Sequence, residues 1–500
     1  MNASKREQGA TAEPGRLRGS MGTAQVALTV LAMAAPIANV VGVLPLGITR
    51  GNGIGTPAIY IFVGAIFLVF AVGFTTMTRN LPESGAFYTY ITAGLSRPVG
   101  LGSGYLLAFT YFVFLVGSYA FFGVSVTNTL ATFDVEGIPW WVWGAVVCVV
   151  ITTLGFFNVE VSGRVLTILM IFEVGLVMLF NLPVLFTGGP EGYQFASFQP
   201  HEILSGDLGV ATLFAIACYI GFETTVIYRD EVKDAARTIP RAMYIAISGL
   251  GIFYAVSAWC LVTFWGPDKV AQVGADDPTV LFNRGFEHYM GRTFTQILTM
   301  LVVTSVFAGA LSTHNAFSRY LYMLGRDGSL PRYLSYASPK HGSPSKASLT
   351  ATVASVIVLL PFAISGTSPV DMYASMFGFG TFSLVVIFVL TAISVLRYFR
   401  IVRHTERSWN TVIAPILSIA GMGLLLVLSS IYYAMSIGAP QWVATLEQIW
   451  LVVIIIIGIC VALYLRNKRP DAYRKIGNGA GYHHDVRFET GELPVVTRQH

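Results

Sequence analysis

The chain has 500 residues, 54% of them hydrophobic and only 11% charged. Soluble domains carry about 25% charged residues, so this composition excludes an ordinary water-soluble fold and points to a chain whose solvent is lipid. The net charge of +5 sits in short polar segments between apolar stretches, with no soluble-type basic patch interleaved with aromatics, and so reads as topology rather than nucleic-acid affinity.

Residues 1–21 are polar and read as an N-terminal tail, without the short apolar core and small-residue cleavage site of a secretory signal. An apolar stretch of about 20 residues spans a bilayer. Twelve follow, at 22–48, 57–78, 99–130, 139–158, 165–186, 207–228, 242–265, 293–318, 347–365, 371–396, 411–435 and 446–465, and a polar tail closes the chain at 467–500. No separate soluble domain is visible. If the N-terminus is cytosolic and the stretches alternate, every Lys and Arg except Arg50, Lys269, Arg284 and Arg292 falls on the inner side or in the tails. Because basic residues favour the cytosolic face, both termini are expected there.

The first stretch carries its own interruption, Ala34-Ala35-Pro36-Ile37-Ala38-Asn39-Val40-Val41-Gly42-Val43-Leu44-Pro45. Pro36 lacks a backbone donor and disfavours helix at the residue before it. The sixth reads Ala217-Cys218-Tyr219-Ile220-Gly221-Phe222-Glu223, with a glycine in mid-stretch directly before the start of an acidic segment. Interrupted segments at matching places in two halves are a sequence pointer to a transporter built from inverted repeats.

Charge is the second signal. Of the 31 basic and 26 acidic residues, Glu173 and Glu223 are those that fall within the body of an apolar stretch. A charged side chain at the bilayer centre costs about 2.5–3.5 kcal/mol on insertion scales, so each is a functional candidate. Glu173 lies nine residues past Arg164, about 13 Å deep at 1.5 Å per residue. The same depth counted back from Arg319 on the eighth stretch lands near Ala310, beside Ser312 and Thr313. His314 and Asn315 follow, with an interhelical hydrogen bond the expected role for the histidine.

Cys148, Cys218, Cys260 and Cys460 occupy separate apolar stretches, none at metal-ligand spacing. His483 and His484 read as part of a solvated tail. The mixed-charge run Arg229-Asp230-Glu231-Val232-Lys233-Asp234 is expected to be a cytosolic linker, either solvated or paired with Arg79, Arg97 or Arg319. Gly51-Asn52-Gly53-Ile54-Gly55 lacks the Lys-Ser/Thr that a phosphate loop requires. With no His-Glu-x-x-His, no Gly-x-Ser-x-Gly and no Walker motif, neither a membrane-embedded enzyme nor coupling to ATP is expected, and no cofactor or resident metal.

Three polar segments carry a resemblance. They are Pro82-x-x-Gly85-x-x-Tyr88-x-Tyr90, Gly221-Phe222-Glu223 running on to Glu231-Val232-Lys233 and Arg237-x-Ile239-Pro240-Arg241-Ala242, and Ser318-Arg319-x-Leu321-Tyr322-x(3)-Arg326-Asp327-Gly328-x-Leu330-Pro331. Together they resemble the amino acid–polyamine–organocation transporters, specifically the bacterial amino acid permeases, over roughly residues 22–466. The resemblance implies an all-α integral membrane protein with twelve transmembrane helices in the LeuT-type five-plus-five inverted repeat plus two more. The repeats would be 22–187 (first to fifth stretches) and 205–399 (sixth to tenth), with the last two helices at 411–466.

It further implies a secondary transporter of the plasma membrane, the bacterial inner membrane, importing an amino acid or related small amine. The alternatives are a polyamine importer, an amino acid exchanger or a transport-dead sensor, as a monomer or a homodimer. Cargo would sit at the unwound parts of the first and sixth spans: Pro36, Ile37, Ala38, Asn39, Val40 and Gly42, and Ala217, Cys218, Tyr219, Ile220 and Gly221. Tyr373 and Phe377 of the tenth span would face it. The family's usual glycine-rich run at the first break is absent here, and Asn39 is expected to replace part of its hydrogen bonding. This departure keeps an amine without a carboxylate open as the cargo. Glu173 falls where related proteins place a cation or a lysine ammonium. There it would carry a coupling proton, since burial favours the neutral carboxyl, or ligate sodium together with Ser312 and Thr313. Glu223 is expected to gate, to brace the sixth span or to take a proton.

Overall fold

The computed structural model describes residues 22–81, 87–157, 163–232, 234–275, 277–338 and 343–477. Parts of the first and second motifs (82–86 and 233), the tails beyond 22 and 477, and with them His483 and His484, lie outside the described residues. Among the described residues the chain is helical, with no β-sheet. Ten helical runs are long and apolar enough to cross a membrane by length and composition, and Trp140–Phe156 is a shorter apolar helix. The run Thr23–Asn80 is 58 residues long, far beyond one crossing. It is interrupted at Ala35, whose φ of 47° is left-handed, and turns again at Gly53, with φ of 51°. It thus contains both of the first two predicted stretches.

Helix ends follow local chemistry. Ser96 accepts from the Val99 N–H at the start of Arg97–Ala131, and Asp234 accepts from the Arg237 N–H at the start of Ala235–Trp265. Gly266 and Gly366 end helices in conformations with positive φ, 79° and 69°. The long Thr279–Arg326 run is two helices joined at Gly291, whose φ of 77° and ψ of 172° are non-helical. In lipid every polar group needs an internal partner. Buried hydroxyls meet this by back-bonding along their own helix, as Thr110 does to Leu106 O and Thr391 to Ile387 O.

Three sets of packed helices position the centre. Arg97–Ala131 lies against Pro369–Ile401 and Thr279–Arg326, while Thr56–Asn80 lies against Ala235–Trp265. Gln441–Lys468 packs on Arg97–Ala131, where Gly458 meets Gly102 so closely that a Cβ on Gly458 would come within 2.6 Å of the Gly102 Cα. An aromatic cluster fills the middle. Phe67, Phe70 and Phe388 surround Phe222 at ring separations of 5.0, 6.3 and 5.9 Å. The residue that follows the sixth-stretch glycine is thereby fixed to two other helices.

Candidate functional site

The sixth-stretch helix Leu208–Tyr219 stops at Ile220, whose φ of −57° and ψ of 134° leave the helical region. Gly221 follows at φ 117°, a conformation side-chain-bearing residues rarely adopt, and a tighter 3-10 helix resumes at Phe222–Glu231. The first-stretch helix Thr23–Met33 stops before Ala35, and helix resumes at Pro36. The two interruptions meet: a Cβ placed on Gly221 would lie 3.6 Å from the backbone of Ala34.

The first discontinuity therefore sits at Ala34 and Ala35 rather than across Pro36 to Gly42. Pro36, Ile37 and Ala38 form an α-turn and Asn39–Val43 a π-turn, all rewound and mostly buried. The sequence signal for this position was present. A proline restricts the residue before it and is favoured in the first turn of a new helix, so Ala35-Pro36 marks a helix start.

Asn39 has a different employment from the one expected. Its Nδ2 donates to Ala34 O at 2.8 Å and to the Tyr254 hydroxyl at 3.1 Å. The side chain thus satisfies a carbonyl at the break and ties the break to Ala235–Trp265. Tyr254, buried among apolar neighbours, was not singled out by the sequence, because nothing local separates it from the many packing tyrosines.

Glu173 is buried on Gly163–Thr187. Its carboxyl faces the backbone N–H of Ile37 and the hydroxyl of Ser305, yet its Oε2 and Ser305 Oγ are both without a hydrogen-bond partner. The neighbouring hydroxyl is therefore Ser305, not Ser312 or Thr313. Thr313 donates to Gly309 O at 2.8 Å along its own helix, and Ser312 is half-buried one position before it. The depth count assumed two upright helices starting at the same level. Ser305 stands about two turns away from Ser312, an offset that counting residues from Arg319 does not detect.

Glu223 folds back on its own break. Its Oε2 accepts from the Gly221 N–H at 2.9 Å, and Thr224 returns its N–H and hydroxyl to Gly221 O at 3.0 and 2.6 Å. Tyr219, expected to line a pocket, turns away from the break: its hydroxyl donates to Tyr60 O at 2.6 Å. It is wedged so tightly that a Cβ on Gly64 or Gly251 would come within 2.4 or 2.7 Å of that oxygen. Cys218 lies 3.4 Å from the Tyr60 hydroxyl, and Ala217 and Cys218 are both buried. Val40 is fully buried and Ile220 half-buried.

Tyr373 donates to Gly42 O at 3.1 Å, and its ring packs on Phe121 at 4.8 Å and on Phe377 at 6.4 Å. Beside these aromatics a narrow cleft of about 10 Å³, room for little more than a water, is lined by Val41, Phe121, Ser125, Asn128, Thr279, Asn283, Thr299 and Val302. Arg50 and Asp371 pair at 2.5 Å and join the segment after the first break to the tenth-stretch helix.

Other sequence-marked groups serve packing. His314 Nε2 bonds the Ser348 hydroxyl at 2.8 Å, an interhelical contact as expected. The side chains of Arg229, Asp230, Glu231 and Lys233 fall outside the described residues. Arg79 reaches Glu406 at 3.5 Å and Arg97 lies over the Tyr473 ring. A third acid, Glu447, accepts from the buried Tyr433 hydroxyl at 2.6 Å; it is the second residue of the last stretch, where an acid reads as interfacial. No group of three or more His, Cys, Asp or Glu residues that could hold a metal ion occurs among the described residues.

The amino acid permease family profile matches residues 25–460. The chain is similar to the low-affinity putrescine importer PlaP of Escherichia coli (strain K12), 25% identical over 313 residues, 60% of this chain and 65% of the importer. It is similar to the lysine-specific permease of Saccharomyces cerevisiae, 24% identical over 339 residues, 61% of this chain and 54% of that permease. The match thus spans less than two thirds of either relative's length. The branched-chain amino acid permease BcaP of Bacillus subtilis is 24% identical over 370 residues, 70% of this chain and 74% of that protein.

Proposed function

The chain belongs to the amino acid permease family of the amino acid–polyamine–organocation transporters, and from that membership we propose a secondary active transporter importing an amino acid or related small amine. Family members are permeases rather than enzymes, and a multi-pass protein of the plasma membrane follows from the family and the apolar helices. The single observation that carries the proposal is the meeting of two broken helices at Ala34 and Gly221. Breaks in mid-membrane are tolerated where backbone lines a cavity or is satisfied by protein, and this is where transporters bind cargo.

The architecture proposed is twelve spans, counting Thr23–Asn80 as two and adding Trp140–Phe156. They would form a LeuT-type five-plus-five inverted repeat, 22–187 and 205–399, with two further helices at 411–466 and cytosolic tails at 1–21 and 467–500. The distribution of Lys and Arg supports this orientation. The protein would act as a monomer or homodimer, without a cofactor.

Coupling to protons is the reading favoured at Glu173. Its unpartnered Oε2 is buried, and a proton on the carboxyl removes a charge that lipid disfavours. Sodium held by Glu173 and Ser305 is the second reading, supported by the unpartnered oxygen on each. Tyr373, Phe377 and Phe121 would form an aromatic closure on one side of the cargo, with Arg50 and Asp371 beyond it. The test is concentrative uptake of labelled amino acids and amines by proteoliposomes under an imposed proton or sodium gradient. A sensor moves nothing, and a channel does not concentrate a solute against its gradient without a membrane potential, so either result would retire the proposal.

A further inference from the structure

We propose that residues 466–477, which follow the apolar body of the last membrane-crossing helix, are a docking surface for the anionic phospholipid headgroups of the leaflet beside them. The proposal rests on the membrane reading of the apolar helices and does not depend on the cargo.

The helix Gln441–Lys468 changes character at its end. Leu463 and Tyr464 are 43% and 59% exposed, an apolar and interfacial surface of the kind that faces lipid. From position 466 the sequence holds Arg466, Lys468, Arg469, Arg474 and Lys475 against a single acid, Asp471. All five bases are exposed, and none forms an ion pair with a described residue. The patch thus stands where hydrocarbon gives way to headgroups, with its charge unspent. Each Lys or Arg near an anionic surface favours binding by about fivefold.

Bases after a span also set topology, but topology asks nothing of the chain beyond them. Here the chain turns back and is fastened. Arg469, with φ of −143°, ends the long helix, and Pro470 opens the short helix Pro470–Lys475. Ile476 is fully buried, and the Gly477 N–H donates to the Tyr88 hydroxyl at 2.9 Å. A Cβ on Gly328 would stand 3.4 Å from the Ala472 methyl, and Arg97 lies over the Tyr473 ring at 5.6 Å. One side of the segment is docked on the protein, while Arg474 and Lys475 stay exposed. A segment already ordered in this way loses little conformational entropy on meeting headgroups.

The docked side leads inward. Tyr88 belongs to the helix Phe87–Gly94, and the Phe87 ring packs on Phe74 and Phe388, each at 5.4 Å. Phe388 packs on Phe222 at 5.9 Å, the residue next to Gly221 at the break. Lipid that steadies the segment is therefore expected to act on the break through contiguous packed rings.

The experiment uses the purified full-length protein without cargo. In mixed micelles it is titrated with phosphatidylglycerol or with phosphatidylcholine of the same acyl chains, and bound lipid is counted by native mass spectrometry. Hydrogen exchange at Gly477 is followed in nanodiscs of each lipid. Phosphatidylglycerol is expected to bind at least about tenfold more tightly, to lose this advantage as salt rises, and to slow exchange at Gly477. Arg474→Gln combined with Lys475→Gln is expected to lower the preference about fivefold or more; Arg466, Lys468 and Arg469 remain to hold topology. Equal binding of the two lipids, equal exchange at Gly477, an unchanged preference in the folded double variant, or displacement of phosphatidylglycerol by inorganic phosphate would each overturn the proposal. Should the double variant not fold, the wild-type lipid and salt comparisons decide. Uptake plays no part in these readouts, so a failure to transport strikes the transporter reading alone.

Discussion

The Tyr88 hydroxyl donates to Asp327 Oδ2 at 2.9 Å and accepts from the Gly477 N–H at 2.9 Å. Two of the three polar motifs read from the sequence thus meet in one buried contact, with the C-terminal segment docked on it. Tyr88 belongs to the short helix Phe87–Gly94, and Asp327 follows directly on the long helix ending at Arg326. Ile476 is fully buried beneath the contact.

This contact makes stability depend on pH. Burial pushes the Asp327 carboxyl up from 3.8 to about 6, opposed by the Tyr88 hydrogen bond and by Arg326 and Lys475 nearby. A raised folded-state value means the native protein holds this proton more tightly than the unfolded chain does. The associated stability is complete below pH 3.8 and is lost as pH rises through about 6. Tyr88→Phe removes a donor to the ionised form, so its destabilisation is expected to be larger at pH 8 than at pH 5, by about 1–3 kcal/mol. Thermal unfolding in detergent across that range checks this, and equal losses at both values would refute the linkage.

Glu173→Gln is expected to abolish proton-driven accumulation while leaving binding or exchange of cargo measurable. The amide keeps the size and a hydrogen-bonding oxygen but cannot take up and release the proton. Uptake under an imposed pH gradient, set against counterflow at equal pH, separates the two activities. Undiminished accumulation would remove Glu173 from coupling.

Gly221→Ala tests conformation without crowding. The added methyl would meet Ala34 first, at 3.6 Å, so space is adequate, but φ of 117° is unfavourable for any L side chain. Strain of about 1–3 kcal/mol is expected, with transport falling more than abundance because the strain lies in the break. A shift in unfolding temperature with transport unchanged would show that the break is not part of the transport cycle.

Gly42→Ala tests crowding without conformational strain. Gly42 carries no positive φ, but its Cβ would come within 2.1 Å of Phe121 Cζ. Overpacking of about 1–3 kcal/mol is expected, together with displacement of the Phe121 ring from Tyr373. Adding Phe121→Leu to Gly42→Ala is expected to restore stability. Failure of that rescue would mean the ring is not what Gly42 accommodates.

Hydropathy, proline and glycine positions and the lone acids were enough to indicate a helical membrane protein, its broken helices and two acids, Glu173 and Glu223, buried within it. These are properties of segments ten to twenty residues long, and lipid enforces them locally because it offers backbone groups no partner. The motifs carried the family in the same way. Which groups touch was beyond such reading. That Ser305 rather than Ser312 or Thr313 stands by Glu173, that Asn39 serves Ala34 and Tyr254, and that Gly221 abuts Ala34 depend on the tilt, kink and register of helices distant in the chain. Those quantities are set by how side chains interlock between helices, which a hydropathy pattern does not encode, so the tertiary packing alone decided them.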